Sequence, residues 1–179
     1  FVDIHDEAGW KNAFRPETKL VFVETPANPT LDLIDIEWLA GLCHDHGTLL
    51  IVDNCFATPY LQQPVKQGAD IVLHSATKFL DGQGRVLGGA IIGADEVIEK
   101  CAGFVQKTGP NLSPFNAWVL SKSLETLAVR MDRHCDNALA LALYLEEHEE
   151  VEDVVYPFLP SFRQYELAKK QMKKGGGLV

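Results

Sequence analysis

No stretch of this 179-residue chain approaches the roughly 20 consecutive apolar residues that a bilayer-spanning helix needs. Nothing at its start reads as a secretory leader either, so neither a membrane span nor export is expected. An excess of positive charge is missing: 16 Lys and Arg stand against 25 Asp and Glu, a formal net charge of −9. Nucleic-acid affinity comes largely from neutralising phosphates, so a nucleic-acid surface is not expected. Paired cysteines are also absent. Cys43, Cys55, Cys101 and Cys135 form no C-x-x-C unit and show no zinc-type spacing. Scattered thiols fit a reducing compartment, here the cytoplasm, and are read as small buried hydrophobes. His44 and His46 are two apart, so on a helix they point to different faces, and no metal site is expected. No G-x-G-x-x-G follows a strand; Gly82, Gly84, Gly88 and Gly89 do not have that spacing, which excludes a dinucleotide module. The first residue is Phe1 and not Met, which predicts a processed or truncated start.

What is present is an alternation of short apolar runs with amphipathic stretches. Residues 20–24 (LVFVE), 48–53 (TLLIVD) and 70–74 (DIVLH) are nearly continuous in aliphatic residues, the pattern of parallel strands covered on both faces. Between the first two, Ile36, Leu39, Ala40 and Cys43 recur at helical spacing, with Asp35 as N-cap and Gly47 as stop. Strand–helix–strand units connect right-handedly by default. A short helix around 63–67, closed by Gly68, leads to the third strand, and 87–93 reads as a fourth, with glycines where backbone must approach closely. The second half is helical: 95–107, then a helix opened by Ser113-Pro114 and running to about Ser123, then a long one from about Leu127. The acidic cluster Glu146, Glu147, Glu149, Glu150, Glu152 and Asp153 reads as a solvated helix end. Residues 151–156 read as a new strand, and 161–172 as a last helix before Gly175-Gly176-Gly177.

Chemistry concentrates at the strand ends. His74-Ser75-Ala76-Thr77-Lys78 directly follows a buried strand. A lysine there is a candidate for covalent catalysis, since partial desolvation lowers its pKa. Ser75 and Thr77 add hydroxyls suited to a bound phosphate. Alone, S-x-T-K is a weak signal and better describes a surface lysine after a strand. Asp53 ends its own strand, at the edge where open α/β sheets bind ligands. A carboxylate there could pair with a protonated pyridine nitrogen, or could simply close an Asx-turn. Asn28, between Pro26 and Pro29 after the first strand, is by itself an ordinary turn residue. The functional argument is that Asn28, Asp53 and Lys78 are expected to converge on one crevice.

The strings VETPANPTLDLIDI, GTLLIVDNCFATPYLQQPVKQGADIVLHSATKFLDGQGRVLGGAIIG and LSPFNAWVLSKSLETLAVRMDRHCDNAL resemble the Cys/Met-metabolism family of pyridoxal-phosphate (PLP) enzymes. The resemblance runs over essentially the whole chain. It implies an α/β architecture of the fold-type I, aminotransferase-like PLP-dependent transferases, and a homotetramer built from dimers that complete each other's sites. It further implies PLP on Lys78, Asp53 against the pyridinium nitrogen, Ser75 and Thr77 on the cofactor phosphate, and Asn28 beside the ring hydroxyl and the amino-acid substrate. The run Asp81-Gly82-Gln83-Gly84-Arg85, with Leu87-Gly88-Gly89 and Cys55, resembles O-succinylhomoserine sulfhydrylases more than γ-lyases.

Family members are roughly twice this length. Their Gly-rich phosphate loop, the aromatic residue that stacks on the cofactor ring and the Tyr and Arg given by a neighbouring subunit have no counterpart here. The expectation is a fragment: 1–150 as the second half of the large PLP-binding domain, 151–179 as the beginning of the C-terminal domain. The expected activity is γ-replacement, homocysteine from O-succinylhomoserine and sulfide. Its rivals are a methionine or cystathionine γ-lyase, a cystathionine γ-synthase, and an inactive remnant of such an enzyme.

Overall fold

The computed structural model describes residues 1–179. Glu7–Ala13 (α1) precedes the strand Leu20–Glu24 (β1), followed by Ile36–Asp45 (α2), Leu49–Asp53 (β2) and a single turn Thr58–Leu61 (α3). A 3-10 turn at Pro64–Gln67 leads to Ile71–Ser75 (β3), a wide π-type turn at Ala76–Leu80, and Gly89–Gly93 (β4). The helices Asp95–Thr108 (α4), Pro114–Leu124 (α5), Leu127–Glu146 (α6) and Tyr165–Gln171 (α7) complete the chain. None of them is long and apolar enough to cross a membrane.

The sheet order is β1-β2-β3-β4, with β1, β2 and β3 parallel and β4 antiparallel to β3. Register aligns Glu24 with Asp53 and Asp53 with Leu73, so the three parallel strands end together at one edge. The caps read from the sequence are made: Asp35 accepts from Trp38 N at 3.0 Å and Ser113 from Asn116 N at 3.1 Å. Gly68 closes its turn at φ 98°, a left-handed conformation that glycine adopts without steric cost.

Two cores flank the sheet. Under it, Ile36, Leu39, Ala40 and Cys43 of α2 pack on Val23, Leu50, Val52 and Val72. At the strand ends, Leu33, Ala57, Leu61, Ala76 and Leu80 meet Leu127, Met131 and Cys135 of α6, together with Phe162, Ala168 and Met172. Residues 151–179 thus lie against the rest of the chain, tied by Gln164 to Leu33 and by Gln171 to Ile34.

Three sequence expectations change. Strands β1 and β2 are covered on one face only: Leu20 and Phe22 are each 53% exposed and Leu49 also faces outward, because no segment of 1–179 crosses that side there, while the edge strand β4 exposes Ile91 and Ile92 on opposite faces. Residues 151–156 form no strand. They pack on α6 instead, with Val154 and Tyr156 against Ala138 and Ala142, and the buried Tyr156 hydroxyl donates to Cys135 O and Gly176 O. A Cβ at Gly175 would lie 2.6 Å from the Tyr156 ring, which accounts for one of the three terminal glycines. The last helix starts at Tyr165, later than its amphipathic pattern suggested. The acidic residues after α6 are exposed.

Candidate active site

Asp53 ends β2 and turns its carboxylate back on the chain: Oδ1 accepts the Cys55 N–H at 3.0 Å. The turn role and the functional role are therefore compatible, since Oδ2 has no protein partner. Cys55 is buried, and its sulfur accepts the Ser75 N–H at 2.6 Å, stitching the end of β2 to the end of β3. Burial, then the adjacent Asp53 carboxylate, pushes the Cys55 thiol up to about 11, against the opposing pull of the Ser75 N–H. The next residue, Phe56, lies under Lys78, with Nζ 4.5 Å from the ring centroid. Residues 53–56 thus touch both Ser75 and the Lys78 head. Asp53, Ser75 and Lys78 are brought together through them.

Lys78 itself stands exposed, so the desolvation expected from its place after a buried strand is not built by residues 1–179. It interrupts the π-type turn, with φ −84° and ψ −123°. Thr77 Oγ1 accepts from Gly88 N at 3.1 Å and points its own hydroxyl at Gly88 O over a long 3.4 Å. The backbone amides of Ala76 and Thr77 are already used by Gly88 O. The hydroxyls remain there to donate to an anion, and that of Ser75 has no protein partner. Asn28 is exposed in the loop after β1, flanked by the cis peptide bonds Thr25–Pro26 and Asn28–Pro29. It shares the edge, but no hydrogen bond ties its side chain to Asp53 or Lys78.

His74 alternates to the other face of β3 and is buried, with Nδ1 unpaired. Burial holds it below the ordinary imidazole range despite the Asp53 charge, which favours the neutral ring. His44 pairs with Asp70, and His46 stacks on Phe14 at 4.3 Å, so the two histidines diverge.

Sequence reasoning missed what holds these loops. Asn54, fully buried, donates to Thr58 O and Gln62 O, while Gln62 Nε2 donates to Asn54 Oδ1 and to Thr25 O. On the other side, Asp81 is buried and accepts from Arg85 Nε, Nη2 and N. Burial raises the Asp81 carboxyl, but these Arg85 donors outweigh it and leave it below the usual carboxylate range. The i, i+4 spacing of Asp81 and Arg85 was a readable signal; nothing in the sequence pointed to Arg130, which binds the carbonyls following Lys78. An apolar groove of about 370 Å³ lies elsewhere, beside β1, lined by Trp10, Phe14 and Phe22 and by none of Asp53, Ser75, Thr77 or Lys78. The chemistry and not the concavity locates the site.

A family model described as "Cys/Met metabolism PLP-dependent enzyme" matches residues 1–179. The chain is 52% identical over 98% of its length to an O-succinylhomoserine sulfhydrylase of Pseudomonas aeruginosa, covering 44% of that protein. It is 49% identical over 93% of its length to an L-methionine gamma-lyase of Porphyromonas gingivalis, covering 43% of that one. Among solved structures, metB from Corynebacterium glutamicum superposes with a TM-score of 0.93 at 46% identity, over 98% of this chain and 46% of that one. The chain spans less than half the length of these relatives.

Proposed function

The chain belongs to the Cys/Met metabolism PLP-dependent enzyme family, and on that premise we propose that it carries the cofactor-bearing half of an enzyme that makes homocysteine from O-succinylhomoserine and sulfide, releasing succinate. The observation that carries the reading is the set of groups left without hydrogen-bond partners at one sheet edge: Lys78 Nζ, which only overlies the Phe56 ring, Asp53 Oδ2 and the Ser75 hydroxyl. An amine, a carboxylate and a phosphate donor are what a pyridoxal phosphate requires, so the residues fit the group. In this reading 1–150 belong to the large domain and 151–179 begin the C-terminal one.

Lys78 Nζ would hold the cofactor covalently and, once displaced by the substrate amine, take the proton from the substrate Cα. The Asp53 carboxylate would hold a proton on the ring nitrogen, with Oδ1 already fixed by Cys55 N–H and Oδ2 free to accept. Ser75 and Thr77 would donate to the phosphate, Thr77 by turning its hydroxyl from Gly88 O. Asn28 would face the substrate from the β1 loop. The bound cofactor supplies an electron sink for negative charge developing next to the amine. The Asp81–Arg85 loop, shared in pattern with sulfhydrylases, favours γ-replacement. The 49% identity to an L-methionine gamma-lyase keeps γ-elimination as the second reading.

Borohydride reduction of the PLP-loaded protein, followed by peptide mapping, should place the pyridoxyl group on Lys78; a label on another lysine would sink the assignment. Supplying O-succinylhomoserine with and without sulfide separates the two activities. Homocysteine formed only with sulfide supports the first reading, and ammonia released equally without it supports the second.

A further inference from the structure

Lys78 sits in a turn with little internal support. Asp81 N donates to Ala76 O at 2.9 Å and Gly82 N to Lys78 O at 2.8 Å, and between them the backbone of Lys78 leaves the helical range. The turn is fastened from outside. Arg130, in the first turn of α6, donates through Nη1 to Phe79 O at 2.7 Å and through Nη2 to Leu80 O at 3.2 Å. The same guanidinium reaches Ser123 O at 3.0 Å and, through Nε, Thr126 Oγ1 at 3.1 Å. These are the two carbonyls directly after the lysine, bound at once to the α5–α6 junction by one planar fork. An ammonium on a flexible stem could not reproduce that geometry. Gly82 keeps the space open: a Cβ there would lie 2.0 Å from Arg130 Nη1.

We propose that Arg130 is a positioning residue for Lys78, holding the turn so that Nζ meets the cofactor and the substrate in one fixed place, while touching neither. The proposal rests on the reading that Lys78 bears the cofactor. The far end of the turn is anchored separately, by Asp81 to Arg85 and Ser123. Loss of Arg130 should therefore free the lysine without unfolding the loop.

The test uses the holoenzyme and its Arg130→Met, Arg130→Lys and Gly82→Ala variants. Each is stripped of cofactor and given PLP, and the rate of forming the borohydride-reducible bond on Lys78 is followed beside kcat and PLP Kd. Arg130→Met should slow bond formation and lower kcat, each on the order of 100-fold, the loss that a misplacement of about 1 Å produces. PLP Kd should change far less, because Ser75, Thr77 and Asp53 are untouched. Arg130→Lys should recover only part of the rate. Gly82→Ala displaces the guanidinium without removing it and should show the same slow bond formation. In the Gly82→Ala/Arg130→Lys pair the two losses should be less than multiplicative, which keeps the test open if Arg130→Met fails to fold. A folded Arg130→Met or Arg130→Lys variant that labels Lys78 at the wild-type rate overturns the proposal. Wild-type protein that labels a different lysine overturns instead the reading beneath it.

Discussion

Two neighbouring devices hold the reactive edge, and they are made of opposite materials. Behind Asp53, the loops after β1 and β2 are joined by neutral amides: Asn54 and Gln62, both fully buried, bind each other and the carbonyls of Thr25 and Thr58. Beyond Lys78, the turn is joined to α5 and α6 by charges: Asp81 with Arg85, and Arg130 on backbone carbonyls. A neutral network is indifferent to pH and salt, but each of its members is costly to orphan. A charged clamp with one end in water is screened and responds to acid. The Asp53 side of the edge is thus built on the rigid support, and the Lys78 side on the one that solvent can reach.

The largest expected effect comes from the residue that the neutral network supports. Asp53→Asn keeps an oxygen that can accept the Cys55 N–H and loses the charge. Turnover should fall on the order of 10²–10³-fold, as when one preorganised electrostatic group is removed from a reacting centre. PLP should still bind, seen by its absorbance, because the Ser75 and Thr77 hydroxyls remain. Near-normal turnover would leave Asp53 with its turn role alone.

Next in size is the network itself. Asn54→Ala removes two donated hydrogen bonds and the acceptor of Gln62 Nε2 in a site closed to water. Leaving buried polar groups unpaired costs about 1–3 kcal/mol each, so a loss near 3 kcal/mol is expected in urea unfolding. None of these amides titrates, and the loss should be constant from about pH 5 to 9. A loss that varied with pH would break the contrast with the charged clamp.

The sheet and the candidate residues at its edge were readable because both write themselves locally. β2 and β3 are continuous aliphatic runs, α2 has its helical spacing between Asp35 and Gly47, and S-x-T-K follows a strand. Arg130 was not readable, since it meets Phe79 across 51 positions through backbone carbonyls, which carry no sequence signal. Cys55 was noticed as part of the resemblance to sulfhydrylases, but not as the bridge to Ser75 N–H, which exists only once β2 and β3 lie side by side. The strand expected at 151–156 failed for a related reason. Its β-branched residues fit a strand, but packing on α6 and the tertiary anchor at Tyr156 decided the path instead. Double coverage failed likewise at β1 and β2: a continuous apolar run tells that both faces can be buried, not that 1–179 contains what buries them.

The smallest effect sharpens the comparison from the charged side. Arg85→Met removes the guanidinium from Asp81 and leaves the backbone N–H groups of Gln83 and Arg85 on its carboxylate. Arg85 is 42% exposed at its side chain, so water screens its end of the pair and the loss at pH 7 should be about 1 kcal/mol or less. The sign with pH follows from Asp81. Burial pushes its carboxyl up, the Arg85 donors push it further down, and the net folded value lies below the unfolded one. A depressed carboxylate adds stability that is fully present above the unfolded pKa, near 4, and is lost as pH falls through the folded value. Arg85→Met shrinks that depression. The wild type should therefore exceed the variant by a constant margin above about pH 5, and the margin should shrink as pH falls below about 4 and Asp81 takes up its proton. Urea unfolding of the pair across that range measures it. A margin that does not shrink at all as pH falls below about 4 would mean that Arg85 acts through the packing of its stem and not through its charge, and the contrast between a neutral and a charged support would then rest on Arg130 alone.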